Sequence, residues 1–163
     1  MPENESYDFT IQNWLPVLAT AYGEAASEPY DDKLHVLSSM LNRSESGKAE
    51  FGADTGKITD VLQRGYYAYS KQSPKFKEAM SMKFPDKESE DSFKEFVAIL
   101  SGMLKGRVQR TSSEFFFTSD EIKSLKKGGN FNFDLLEQVG EGKTWKYFRY
   151  KPAGTGKPVK KKK

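Results

Sequence analysis

The stretch DSFKEFVAILSGML, residues 91–104, decides the fold class of this chain. Its large apolar side chains recur every three or four residues, which places them on one face of a helix. They are Phe93, Phe96, Val97, Leu100, Met103 and Leu104. A helix with so wide an apolar face must be covered by other apolar surface. The stretch therefore predicts a helical domain with a buried core, in which this helix is opened by Ser89 or Asp91.

Four further helices are predicted upstream, some from the same apolar spacing and some from a capping residue or a proline at the start. They are a helix at 14–26 capped by Asn13 with Pro16 in its first turn, a helix opened by Asp31 or Asp32, a helix at about 58–72, and a short helix at 74–82. Residues 44–56 are polar, rich in glycine and without periodicity, which predicts a loop.

The helical pattern gives way to a mixed one after residue 110. Residues 114–117 read EFFF and predict a short strand. Thr118 and Glu121 have the spacing of a capping box, so a two-turn helix is expected from there to Gly128-Gly129. A strand and a short helix therefore precede the last predicted element.

That last element is a β-hairpin in residues 130–152, with Gly140-Glu141-Gly142 at its turn. Phe131, Phe133 and Leu135 alternate on the incoming arm, as expected for a strand with two different faces. One more helical turn in residues 133–139 is the alternative.

Together these patterns predict a mainly α-helical protein of the α+β type. A helical domain of about five helices, acidic in its first half, fills residues 1–110. A strand–helix–hairpin module in residues 111–152 packs on it, and residues 153–163 form a disordered, lysine-rich tail. The order of elements in the module partly resembles a winged helix, but no convincing recognition helix lies between Lys127 and the hairpin.

The formal net charge of +3 conceals a strong asymmetry along the chain. Residues 1–60 carry four basic and eleven acidic side chains, a net charge of −7, whereas residues 61–163 carry 22 basic and 12 acidic side chains, a net charge of +10. Such asymmetry indicates an anionic partner on the basic side. The alternative is that the two halves attract each other within the fold.

Catalytic, metal and cofactor chemistry finds no support in the sequence. The chain has no cysteine and a single histidine, His35, which does not suffice for a zinc site of the usual kind. GADTGKIT, residues 52–59, lacks the glycine spacing and the Ser or Thr of a phosphate-binding loop. The acidic clusters at 86–91 and 119–121 stand where helices begin, and there they complement the helix dipole. We therefore predict a protein that is not an enzyme and needs no cofactor.

The compartment is predicted from what the N-terminus and the hydropathy lack. MPENESYDF is acidic and has no apolar signal segment, and no stretch approaches the roughly 18 apolar residues of a spanning helix. We expect no membrane partner and an intracellular location, either cytoplasmic or, in a eukaryotic cell or its virus, nuclear.

The C-terminal segment combines aromatic and basic side chains. In an extended strand, Trp145, Tyr147, Arg149 and Lys151 face one way, and Lys146, Phe148 and Tyr150 face the other. One face must pack and the other is free, but the sequence leaves open which. Exposed aromatic rings beside cations are typical of surfaces on which unpaired bases stack; lysine on an edge strand that resists aggregation is the alternative. The candidate binding residues are Lys105, Arg107, Arg110, Lys143, Trp145, Lys146, Tyr147, Arg149, Lys151, Lys157, Lys160, Lys161, Lys162 and Lys163.

The function predicted from these patterns is non-catalytic nucleic-acid binding in a regulatory or accessory role, as in a small viral or bacterial protein. DNA is favoured over RNA, with single-stranded DNA among the candidates, and phosphate contacts would supply most of the affinity. The alternative is a protein-binding module or inhibitor that uses its acidic N-terminal helices, for example by mimicking DNA. A surface gathering Glu24, Glu28, Asp31 and Asp32 would favour that alternative.

Overall fold

The computed structural model describes residues 9–129 and 131–152, and there the chain is mainly helical with one three-stranded antiparallel sheet. The α-helices of this part are α1 (Ile11–Ala25), α2 (Tyr30–Ser46), α3 (Ile58–Gly65), α4 (Tyr67–Ser70), α5 (Pro74–Ser81), α6 (Lys87–Leu104) and α7 (Ser119–Gly128). The strands are β1 (Phe115–Phe117), β2 (Leu136–Glu141) and β3 (Lys146–Tyr150). Single 3-10 turns occupy Ala49–Phe51, Ala53–Thr55 and Phe133–Leu135. The mainly helical prediction is confirmed, but the described residues form seven helices rather than about five.

Helix α1 is the centre of the helical part, since it packs against α2, α4, α5 and α6. Its residues 17–22 are all buried. The helix begins at Ile11, earlier than the sequence predicts, because the Thr10 side chain accepts a hydrogen bond from the Asn13 amide (3.1 Å) and caps it. Pro16 consequently lies in the second turn rather than the first.

Helix α6 buries the apolar face that the sequence predicts. All its members are buried except Val97, which is partly buried, and Ile99 joins them. The helix begins before the predicted start because Asp86 is the cap and accepts a hydrogen bond from the Ser89 amide at 2.8 Å. This contact with Ser89 lowers the pKa of the Asp86 carboxyl group. Phe93 also packs edge-to-face on Tyr22 of α1, with 6.0 Å between the ring centres.

The helix predicted at 58–72 is divided in two at Tyr66. This residue is extended (φ −129°, ψ 115°), which directs its ring into the core, where its hydroxyl lies 2.7 Å from that of Ser39. The helix restarts as α4, whose Ala68 amide donates to the Glu24 carboxylate at 2.9 Å. Burial raises the pKa of Glu24. Burial of one aromatic ring thus overrides the helical periodicity.

The sheet has the order β1-β3-β2, so the C-terminal strand β3 is its central strand. The hairpin turn lies between Gly142 and Trp145, joined by a 2.8 Å backbone hydrogen bond, and is therefore later in the chain than predicted. The incoming strand starts at Leu136 because residues 133–135 form a 3-10 turn, and its pairing shifts by one residue between Gln138 and Gly140.

The winged-helix resemblance is not confirmed. Between α7 and β2, the described residues hold only the 3-10 turn Phe133–Leu135, which is too short to act as a recognition helix. The sheet is nevertheless continuous with the helical core, since Phe115 and Leu136 belong to the same buried cluster as α1 and α6. No helix within residues 9–129 and 131–152 is long and apolar enough to cross a membrane. The predicted disordered tail, residues 153–163, lies outside the described residues.

Candidate nucleic-acid interface

One face of β3, which we call the inner face, packs on helix α2. Tyr147 is fully buried there, and its ring stacks on His35 with 3.9 Å between the ring centres and 7° between the planes. Its hydroxyl donates a hydrogen bond to the buried carboxylate of Asp32. Burial and this carboxylate both raise the pKa of Tyr147. Tyr147 is therefore not available to a nucleic-acid base.

The hairpin turn is held against the first turn of α2 by further polar contacts. The Lys143 amide donates to Asp32 at 3.3 Å, and the Thr144 hydroxyl donates to Glu28 at 2.9 Å. Gly142 lies so close that a Cβ atom there would be 1.8 Å from an Asp32 oxygen. Only glycine permits this approach, so the turn sequence and the helix start are fitted to each other.

His35 lies in the middle of this contact between helix and sheet. Its Nδ1 atom is 2.5 Å from the hydroxyl of the buried Ser113. Burial lowers the pKa of His35, and the nearby carboxylates of Asp31 and Asp32 oppose that shift. The ring fills space between α2 and the sheet, and this explains the single histidine as a packing residue.

The opposite face of β3, the outer face, carries a cluster of partly exposed aromatic rings. Phe148 pairs across the strands with Phe115, and Lys146 pairs with Phe117, so all four side chains project from this face. Phe131 and Phe133 lie beside them. We call the four partly exposed rings the aromatic platform: Phe117, Phe131, Phe133 and Phe148.

The rings of the aromatic platform meet mostly edge to face. The centres of Phe131 and Phe133 are 5.0 Å apart with 78° between the planes, and those of Phe133 and Phe148 are 5.6 Å apart with 71°. In such an arrangement the edge of one ring lies against the face of its neighbour, so the rings support each other and cover part of each other's faces. All four rings remain partly exposed, so part of their aromatic surface is accessible to solvent.

At the other end of the outer face, the ring of Phe115 is covered by neighbouring side chains. Phe115 is buried against Phe51, and the Arg43 guanidinium lies over both rings, at 5.1 and 4.6 Å from their centres. Tyr150 packs on Phe115 and donates from its hydroxyl to Glu50 at 2.5 Å. Phe115 therefore belongs to the core, whereas Tyr150 is partly exposed, as the rings of the aromatic platform are.

Helix α7 places a stripe of lysines beside the aromatic platform. Lys123, Lys126 and Lys127 are spaced i, i+3 and i+4, so they share one side of the helix. All three are exposed, and the Lys126 ammonium lies 5.5 Å from the centre of the Phe133 ring. None of them forms an ion pair with another described residue, which leaves their charges free for an external anion.

The predicted binding residues in the described part are distributed over several elements. Lys105 and Arg107 are exposed just beyond the end of α6. Lys143 and Lys151 are exposed at the two ends of β3. Trp145 is partly buried, because its ring packs edge-to-face on Phe116 of the inner face at 5.0 Å. Lys146 is on the outer face.

Two predicted arginines already have carboxylate partners. Arg110 makes a two-pronged contact with Glu45, at 2.8 and 3.1 Å. Arg149 bonds Glu137 across the β2–β3 pair at 2.5 Å, with both side chains about one third exposed. An exposed pair of this kind contributes at most about 1 kcal/mol, so a phosphate could compete for either arginine. Lys157 and Lys160–Lys163 lie outside the described residues.

A cleft of about 440 Å³ separates the C-terminal end of α2 from the end of β3. Lys48, Arg149 and Lys151 line it, but so do Glu45 and Glu114. The carboxylates oppose the potential of the basic side chains and so weaken the attraction of the cleft for a phosphate.

The acidic surface expected for a protein-binding module or DNA mimic does not form from the predicted residues. Asp32 is buried under Tyr147, Glu24 receives the Ala68 amide, and Glu28 receives the Thr144 hydroxyl. Only Asp31 of the four acids is exposed. The other three carboxylates, those of Glu24, Glu28 and Asp32, stabilise the fold because each accepts an internal hydrogen bond.

Direct ion pairs between the acidic and basic halves are few. Within the described ranges, Arg110–Glu45 is the one ion pair that joins a base after residue 60 to an acid before it. In the Lys33–Glu95 pair the base lies in the first half and the acid in the second. The acids of the first half instead accept hydrogen bonds from neutral hydroxyl groups such as those of Tyr147 and Tyr150. The basic side chains of the second half are thus largely left without acidic partners from the first.

The aromatic platform and the lysine stripe were not among the predicted binding residues. The signals were present in the sequence: three consecutive phenylalanines at 115–117, the alternation NFNF at 130–133 and the spacing of the α7 lysines. They became a surface only when β1, β3 and the segment after α7 met in space. Metal binding has no comparable support, since no group of three or more metal-ligating side chains occurs among residues 9–129 and 131–152.

Comparison of the chain with models of protein families, with curated proteins and with solved structures gave no significant match. Any function proposed for the chain must therefore rest on its own charge and geometry.

Proposed function

We propose that this protein binds nucleic acid without catalysis, in a regulatory or accessory role. The observation that carries the proposal is a set of exposed basic side chains after residue 60 that form no ion pair with another described residue: Lys105, Arg107, Lys123, Lys126, Lys127 and Lys143. Unpaired lysines and arginines on a protein surface attract phosphate and release the counterions condensed on it.

The proposed phosphate contacts come from cations on several elements of the C-terminal half. The exposed Lys105 and Arg107 follow α6, the lysine stripe lies on α7, and the exposed Lys143 and the partly exposed Lys146 flank the start of β3. Burial of Asp32 and the internal hydrogen bonds of Glu24 and Glu28 remove the main acidic surface that would favour a basic protein partner. These two facts support nucleic acid over the protein-binding alternative.

Fluorescence anisotropy with labelled 20-nucleotide single-stranded DNA, the matching duplex and the matching RNA tests this function. We expect binding at 50 mM salt and a marked loss of affinity at 200 mM salt, because each released counterion adds to the salt dependence. Absence of binding to all three probes at 50 mM salt would refute the proposal.

A pair of charge variants separates specific contacts from net charge. Lys105→Gln combined with Arg107→Gln removes two unpaired cations, and Lys87→Gln combined with Lys94→Gln removes two cations paired with Asp91 (3.2 Å) and Glu90 (3.4 Å) on α6. Both double variants lose two charges. We expect the first to weaken binding and to flatten the plot of log affinity against log salt by about 0.7–0.9 per contact, and the second to have much less effect.

Deletion of residues 153–163 tests the contribution of the C-terminal lysines. The deletion removes five lysines and changes the formal net charge from +3 to −2. We expect weaker binding to every sequence and a flatter salt dependence, equivalent to about two or three phosphate contacts. An unchanged salt dependence would assign all phosphate contacts to the remainder of the chain.

A further inference from the structure

The aromatic platform differs from the rest of the proposed binding surface because it offers rings rather than charges. Phe117, Phe131, Phe133 and Phe148 are partly exposed on the outer face of the sheet. On the inner face Tyr147 is buried against α2, and the partly exposed Trp145 and Phe116 pack on each other. Partly exposed apolar surface gathered at one place is a feature of binding surfaces.

We propose that the aromatic platform binds the unpaired bases of single-stranded nucleic acid, and that the lysine stripe of α7 binds the phosphates beside them. This inference rests on the proposed nucleic-acid-binding function. Its geometric basis is the position of the Lys126 ammonium, 5.5 Å from the centre of the Phe133 ring, which sets a cation at the border of the aromatic surface. Lys146 borders the same rings from β3, since it pairs with Phe117.

Charge complementarity decides the kind of ligand. Lys123, Lys126 and Lys127 on one side and Lys146 on the other leave the platform between basic side chains, and within the described residues none of the four forms an ion pair. Glu141 pairs with Lys146 across the strands and lies at the same edge, so it is the main opposing charge on the β3 side. Rings between cations suit a ligand with flat apolar groups along an anionic backbone.

The same arrangement favours single strands over duplexes. In a duplex the faces of the bases are stacked on each other, so they are not available to the phenylalanine rings. In a single strand the bases can turn onto the phenylalanine rings, and base–aromatic stacking then adds to phosphate binding. Stacking is available to every base, so we expect tolerance of sequence and a preference for flexible pyrimidine runs.

The residues that the sequence suggested for stacking are placed differently. Tyr147 is buried on the inner face, and Trp145 packs on Phe116 near the turn. Stacking therefore belongs to the outer face, and we expect Trp145 to contribute little to it. Trp145 is therefore a matched control for the rings of the aromatic platform, since all of them lie on the hairpin or beside it.

The test uses the full chain with labelled 15-nucleotide oligo(dT), oligo(U) of the same length, and a 20-base-pair duplex. Phe133→Leu and Phe148→Leu remove a ring from the platform and keep an apolar side chain. Trp145→Leu removes a ring from the inner side. Far-ultraviolet circular dichroism and thermal melting verify that each variant is folded. If Phe148→Leu, in the central strand, fails to fold, Phe133→Leu in the 3-10 turn tests the same surface.

We expect tighter binding of the single strands than of the duplex, and a loss of about 5-fold or more in oligo(dT) affinity for each platform variant, as one lost stacking contact implies. The duplex affinity of each platform variant, and the oligo(dT) affinity of Trp145→Leu, should each differ from the wild-type value by less than about 2-fold. Lys126→Gln should weaken single strands and duplex alike.

The results distinguish failure of the stacking inference from failure of nucleic-acid binding as a whole. If the protein binds the probes but the platform variants bind oligo(dT) as wild type does, or if Trp145→Leu carries the loss instead, the stacking inference is overturned and nucleic-acid binding stands. If no probe binds at 50 mM salt, nucleic-acid binding itself fails, and the stacking inference fails with it. Equal losses for single strands and duplex in Phe133→Leu would also overturn the inference.

Discussion

The hydrogen bond from Tyr147 to Asp32 gives the sharpest prediction for the fold, because it joins the C-terminal hairpin to helix α2 across more than a hundred residues of chain. Tyr147→Phe removes the hydroxyl and keeps the ring that stacks on His35. The variant leaves the buried Asp32 carboxylate with the Lys143 amide, at 3.3 Å, as its remaining donor from the hairpin. The substitution therefore isolates one buried hydrogen bond.

The expected cost follows from the burial of both partners. Asp32 is 1% exposed and Tyr147 is 0% exposed, so water cannot easily replace the lost hydroxyl. A hydrogen bond to a charged group contributes about 1.5–3 kcal/mol. We expect Tyr147→Phe to lower the free energy of unfolding by about 2 kcal/mol, which corresponds to a melting temperature about 4–8 °C lower for a chain of this size.

Tyr150→Phe is the matched control. Tyr150 is on the same strand, and its hydroxyl also donates to a carboxylate, that of Glu50 at 2.5 Å, but this bond is exposed. Water can solvate both groups after the substitution, so we expect a change within about 0.5 kcal/mol. The comparison separates burial from the mere presence of a tyrosine–carboxylate bond.

Urea denaturation followed by circular dichroism at 222 nm measures both variants. The double variant with Asp32→Asn completes a mutant cycle, in which we expect a coupling energy of at least about 1 kcal/mol between Tyr147 and Asp32. A cost for Tyr147→Phe no larger than that for Tyr150→Phe would refute the assignment of Tyr147 and Asp32 as a buried, stabilising pair.

Two further predictions concern the same contact. Burial lowers the pKa of His35 below its ordinary 6.5, so the unfolded chain binds a proton at this histidine more readily than the folded chain does. The contribution of neutral His35 to the free energy of unfolding should therefore be fully present above about pH 6.5 and be lost as the pH falls below it. His35→Asn should remove this pH dependence. Nuclear magnetic resonance titration of the single histidine measures this pKa, and a value of 6.5 or higher would contradict the prediction. Gly142→Ala should destabilise the protein by about 1–3 kcal/mol, since the new Cβ atom would overlap Asp32, whereas Gly128→Ala, with open space around it in α7, should be neutral or stabilising in the same urea experiment.

Local patterns predict much of the fold correctly. The apolar face of α6 is buried as its spacing indicates, and the capping box of α7 forms with both of its hydrogen bonds, between Thr118 and Glu121 at 2.7 and 3.1 Å. These features depend on residues within a few positions of each other, and the side chain and backbone chemistry that favours them is already present in the segment.

The predictions that were wrong in detail depend on residues far apart in the sequence. The interruption at Tyr66 occurs because its ring enters a core built partly by Ser39 and Phe116, which helical periodicity around residue 66 does not reveal. The hairpin turn lies at 142–145 because Gly142 must fit against Asp32 of α2.

The sequence did not reveal which face of β3 is buried. Alternation along the strand determined that Tyr147 and Phe148 face opposite sides, but both are aromatic and either face is apolar enough to be buried. The tertiary structure decided between them, because α2 presents a carboxylate for the Tyr147 hydroxyl and a histidine ring for its face, at Asp32 and His35. A period of two residues defines two faces without saying which one is covered, and that choice belongs to the partner element.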